Sequence, residues 1–138
     1  MKVLFDTNVV LDLLLDREPF SLEAEILFSK VEKKEIHGYL CATTMTTIHY
    51  LLSKSLPAKE LSSALSSLFE LFDIAMVNRQ VLLAALKVDD VDFEDSVLYK
   101  SAYICGVDVI VTRDQKGFKK SDIPAYPPKE LIKFLATK

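Results

Sequence analysis

Apolar positions along this chain follow two rhythms, a short continuous run and a spacing of three to four residues, and the two take turns. Val3 to Phe5 is a continuous run that predicts a buried strand, and "NVVLDLLLD" from Asn8 predicts a short helix. In "EPFSLEAEILFSKVEKKEIHG", Leu22, Ile26, Leu27 and Val31 fall at helical spacing, with the charged "EKKE" and Gly38 expected to close the helix. Tyr39 to Ala42 predicts a second strand. Thr43, Thr44, Thr46 and Thr47 introduce a helix with Ile48, Leu51 and Leu52 on its apolar face, and Pro57 stops it. Leu61, Leu65, Leu68 and Phe72 mark the next helix.

The second half repeats the scheme. "IAMV" from Ile74 to Val77 predicts a short strand and "RQVLLAALKV" a short helix. "DFEDSVLYKSAYICG" carries Val97, Leu98, Ser101, Ala102 and Cys105 along one face and Gly106 at its end. Val107 to Thr112 is β-branched at most positions and predicts the clearest strand. Ile123 to Tyr126 predicts a last short strand, and "PPKELIKFL" a helix entered through proline. Alternating strands and helices imply an α/β fold with a mainly parallel sheet.

A length of 138 residues suits a single domain spanning residues 1–138. Half the residues are hydrophobic, glycines number three and the formal charge is −3, which describes a folded chain and excludes a disordered or repeat protein. The longest strictly apolar stretch, Val81 to Leu86, is too short to span a membrane, and Asp6 interrupts the first apolar run before it can serve as a signal peptide. A cytoplasmic location, away from any membrane, is expected. Cys41 and Cys105 lie in apolar strings without metal or disulfide spacing and are expected to be buried free thiols. His37 and His49 are isolated, which argues against zinc.

Topology changes the meaning of the acidic residues. In a parallel sheet all strands end at one edge, so Asp6 and Asp114, each just past a strand, arrive together there. The helix before the fourth strand runs antiparallel to it, which brings Asp92 and Asp95 to the same edge, and Thr43, Thr44 and Thr47 border the crevice. Each acid has a local role available: Asp6 or Asp92 as a helix cap, Asp95 as a capping-box partner, Asp114 as a turn residue. A cap returns only about 1 kcal/mol. Two carboxylates 4 Å apart repel by about 4 kcal/mol at an effective dielectric near 20, so caps do not account for the gathering. A hard divalent cation such as Mg²⁺ or Mn²⁺ does, because it takes oxygen ligands and can polarise a phosphoryl oxygen.

"FDTNVVLDLLL", "DFEDSVLYKSA" and "VIVTRDQKGF" resemble, in order and spacing, the three motifs of PIN domains, particularly ribonuclease toxins of VapC type. The resemblance implies a three-layer α/β/α sandwich with a central, mainly parallel sheet of four to five strands. It implies Asp6, Asp95 and Asp114 as catalytic metal ligands for Mg²⁺ or Mn²⁺, supported by Asn8, Thr47, Asp92 and Thr112. Thr47 stands where many PIN domains carry a glutamate, and a hydroxyl cannot neutralise charge as a carboxylate does. Three acids still hold one ion, but a second is no longer provided for.

The activity implied is hydrolysis of single-stranded or looped RNA, with an antitoxin protein as partner and a homodimer as the assembly. Residues 58–72, rich in Leu and Phe, offer a face for such contacts. A net charge of −3 gives no global attraction for nucleic acid, so binding falls to Arg113, Lys116, Lys119 and Lys120 beside Asp114, with Arg17 as a weaker candidate. A dehalogenase-type phosphatase would need a second aspartate at position 8, which is Asn, and a receiver domain would need paired acids after the first strand. The remaining alternative is a catalytically impaired PIN-like module that binds RNA or protein.

Overall fold

The computed structural model describes residues 1–137. Among them are five strands, β1 (Lys2–Phe5), β2 (His37–Cys41), β3 (Asp73–Ala75), β4 (Val109–Val111) and β5 (Ala125–Tyr126). The helices are α1 (Thr7–Leu14), α2 (Ser21–Glu32), α3 (Ala42–Leu52), α4 (Ala58–Leu71), α5 (Arg79–Leu86), α6 (Phe93–Ile104) and α7 (Pro128–Ala136), with a 3-10 turn at Gln115–Phe118. All strand pairings are parallel, in the order β3-β2-β1-β4-β5.

The period-two alternation of the strands divides the interior in two. Val3 and Phe5 of β1, Leu40 of β2, and Val109 and Val111 of β4 face a core filled by α1, α2, α3, α4 and α7. Leu4, Cys41, Ala75 and Ile110 face the other side, against α5 and α6. Helices on both faces of one parallel sheet make the α/β/α sandwich expected from the sequence. The larger core is centred on Phe5, Phe28 and Phe72, whose rings meet edge to face at 5.1 to 5.5 Å.

Several local expectations need correction. Leu22 and Ile26 do not face the core: they are 64% and 38% exposed, and Ala24, Leu27, Phe28 and Val31 form the buried stripe of α2. Gly38 does not end α2. The helix stops at Glu32, Lys34 takes the left-handed conformation at φ 62°, and Gly38 lies inside β2. A Cβ on Gly38 would stand 2.6 Å from the Phe72 ring, so glycine is required there by packing. β3 starts one residue before the expected Ile74 and leaves Met76 exposed. Val107, Asp108 and Thr112 lie outside β4, and Cys105 is only half-buried, whereas Cys41 is fully buried beside the Ser101 and Thr43 hydroxyls. No helix among the described residues is long and apolar enough to cross a membrane.

Candidate active site

The chain runs outward from β1 through β2 to β3, then returns to the other side of β1 as β4. This reversal places the carboxyl ends of β1 and β4 side by side, the position where open α/β sheets form a crevice. Asp6 is the first residue beyond β1 and Thr112 the first beyond β4. The Asp6 backbone N–H donates to the Val111 carbonyl at 2.9 Å, locking the two ends in register.

Asp6 is buried and serves two purposes at once. Its Oδ1 accepts the Thr7 backbone N–H at 2.7 Å, capping α1. Its Oδ2 accepts the Thr112 hydroxyl at 2.6 Å. Burial pushes the Asp6 carboxyl above its ordinary range, while the bonds from Thr112 and Thr7 pull it back. The Thr112 hydroxyl in turn accepts the Asp114 backbone N–H at 2.9 Å. One hydroxyl, that of Thr112, therefore bonds the Asp6 side chain and the Asp114 backbone at once.

The first turn of α6 arrives at the same edge. Asp92 Oδ1 accepts the Asp95 backbone N–H at 3.1 Å, the cap expected of it. The Asp95 carboxylate lies against Gly117 in the 3-10 turn, so close that a Cβ there would sit 2.4 Å from Asp95 Oδ2 and 3.4 Å from Asp114 Oδ2. Asp95 is pushed up to about 7, first by burial and then by the charges of Asp6, Asp92, Asp114 and Glu94. The carboxylates thus feel one another across the crevice.

Asn8 Oδ1 makes only a long contact, 3.5 Å, with the Arg113 backbone N–H. Thr47 is half-buried on α3, and the α3 hydroxyl that reaches across to α1 is that of Thr44, 2.9 Å from Thr7 Oγ1. Arg113, expected to meet phosphate, is committed elsewhere: its Nε and Nη2 donate to the buried Asp12 carboxylate at 2.6 and 3.2 Å. Arg17 also stands beside Asp12, at 3.7 Å. Lys116 and Lys119 are exposed beside the crevice, whereas Lys120 Nζ donates to the Asp89 carbonyl. Asp12 and Gly117 support the site and were not singled out from the sequence, whereas Thr44 was expected at the border of the crevice.

Among the described residues, no three His, Cys, Asp or Glu side chains close on one point tightly enough to cage an ion by themselves. The donor set nevertheless suits Mg²⁺ or Mn²⁺, which take hard oxygen ligands and commonly use one or two carboxylates while keeping several waters. Burial first, and the neighbouring carboxylates after it, disfavour the charged form of Asp95, and a bound cation would favour that form.

A family model described as PIN domain matches residues 2–116. A comparison with curated proteins found no match. Among solved structures, the chain is similar to FitAcB from Neisseria gonorrhoeae, with 19% identity, a TM-score of 0.71, and coverage of 92% of this chain and 98% of that one. A toxin-antitoxin complex from Klebsiella pneumoniae gives 21% identity and a TM-score of 0.68 over 91% of this chain and 97% of that one. VapBC2 from Rickettsia felis, bound to a DNA fragment from its promoter, gives 14% and 0.68 over 92% and 98%. At these identities the structures establish a shared fold.

Proposed function

Because the chain belongs to the PIN domain family, a family of nucleases, we propose that it is a metal-dependent endoribonuclease that hydrolyses RNA phosphodiester bonds as the toxin of a toxin-antitoxin pair. The observation that carries this reading is the convergence of Asp6, Asp95 and Asp114 on one crevice, with Asp95 raised to about 7 by burial and then by the neighbouring carboxylates. The toxin-antitoxin complex among the structures of the same fold supports an antitoxin as partner.

Asp6, Asp95 and Asp114 would hold Mg²⁺ or Mn²⁺, which supplies positive charge to neutralise the phosphodiester and to lower the pKa of a bound water. The protein's own part is positional. Thr112 fixes Asp6 Oδ2 and the Asp114 backbone with one hydroxyl, and the α1 cap fixes Oδ1. Asp92 sets the first turn of α6 and so the place of Asp95. Gly117 leaves room for the Asp95 carboxylate. Lys116 and Lys119, exposed on the adjoining turn, would meet phosphates on either side of the scissile bond, with Lys120 beyond them.

Thr47 favours a second reading, a PIN-like module with impaired catalysis that binds RNA or protein, because its hydroxyl adds no charge to the carboxylate set. Cleavage of structured and unstructured RNAs by partner-free protein, with Mg²⁺ or Mn²⁺ and with chelator, separates the two. Metal-dependent cleavage lost in Asp6→Asn and Asp95→Asn supports the nuclease. RNA left intact by freshly purified wild type favours the binding module.

A further inference from the structure

We propose that the ion pair between the buried Asp12 and the half-buried Arg113 is a positioning device of the active site, fixing the turn after β4 so that the Thr112 hydroxyl and the Asp114 carboxylate reach Asp6 together. The proposal rests on the cleavage reaction read above for its kinetic consequence, but not for its structural one.

Asp12 lies on the second turn of α1 and is 1% exposed. Its two oxygens accept from Nε and Nη2 of Arg113, the forked geometry that only a guanidinium supplies. The Arg113 Cζ stands 3.9 Å from the centroid of the Phe20 ring, so the carboxylate fixes the guanidinium within its plane and the ring fixes it from above. Arg17 stands beside the same carboxylate, and its backbone N–H donates to the Asp12 carbonyl at 2.9 Å, tying in the loop that carries Phe20. Arg113 sits between Thr112 and Asp114 in sequence. Immobilising it immobilises both neighbours.

Stability alone does not account for the pair. Buried ion pairs replaced by apolar side chains of similar volume commonly leave a protein equally or more stable, because desolvation offsets the attraction. What an apolar pair does not reproduce is the fixed direction of the fork, and that direction sets the path of the chain from Thr112 to Asp114.

The test uses the double variant Asp12→Leu/Arg113→Met, and Arg113→Lys, which keeps the charge but loses the fork. The double variant is expected to melt within about 2 to 4 °C of wild type. Its kcat for RNA is expected to fall roughly 10- to 100-fold, with KM changed by less than about threefold, since misplacement of about 1 Å costs that much. Hydrogen exchange at the Asp114 amide, protected by the Thr112 hydroxyl, should accelerate about tenfold or more. A folded double variant with wild-type kcat and wild-type exchange at Asp114 overturns the proposal. If wild type does not cleave RNA, the nuclease reading fails and the Asp114 exchange rate alone decides this one. If the double variant does not fold, Arg113→Lys is judged by the same readings.

Discussion

The Thr112 hydroxyl donates to Asp6 Oδ2 at 2.6 Å and accepts the Asp114 backbone N–H at 2.9 Å, so one side chain joins the ends of β1 and β4 at the carboxylates. Thr112→Val keeps the shape and removes both bonds. With Asp6 buried, losing a bond to its charged form should cost about 1.5 to 3 kcal/mol. Calorimetric melting should show that loss, and cleavage should fall at least about tenfold. Thr112→Ser should restore most of both.

Asp95 gives the apo protein a pH dependence of unusual sign. Its folded value of about 7 lies above its ordinary 3.8, so the folded state holds the proton more tightly. The stability this provides is fully present below about pH 3.8 and is lost as pH rises to about 7. Asp95→Asn removes the repulsion at high pH. At about pH 8 it should melt roughly 2 to 4 °C above wild type without metal, while losing activity. An Asp95→Asn protein that melts below wild type would contradict the crowding of carboxylates.

The same group governs metal loading. A cation competes with the Asp95 proton, so the apparent affinity for Mn²⁺ should rise between about pH 6 and pH 7 and level off above. Melting scans with and without Mn²⁺ at each pH measure this directly, since a ligand that binds only the folded state raises the midpoint.

Gly117 and Gly38 separate site effects from packing effects. A methyl group at Gly117 would stand 2.4 Å from Asp95 Oδ2, so Gly117→Ala should displace that carboxylate and weaken Mn²⁺ binding about tenfold with little change in melting. A methyl group at Gly38 would meet the buried Phe72 ring at 2.6 Å. Gly38→Ala should therefore cost about 1 to 3 kcal/mol of stability and leave metal affinity unchanged in the protein that remains folded.

The order of strands and helices was legible because apolar runs and punctuation are local, and the convergence of Asp6, Asp95 and Asp114 followed from parallel topology. What was hidden depended on contacts distant in sequence. Asp12 and Arg113 are 101 residues apart, and nothing in either segment marks a fork that will close between them. Arg113 consequently looked like a phosphate contact. The phase of α2 was misread because Leu22 and Ile26 fit a helical spacing as well as Ala24 and Phe28 do, and only the docked helix shows which face turns inward. Gly38 looked like a helix stop because the closeness of Phe72, which explains it, is tertiary.

Calorimetric titration of Mn²⁺ into the metal-free protein at about pH 8, with Asp6→Asn and Asp95→Asn beside wild type, tests the carboxylate site most directly. Saturable binding by wild type, weakened at least about tenfold in each variant, is the predicted result. Equal affinity in all three proteins would contradict the reading of this crevice as a metal-dependent nuclease site.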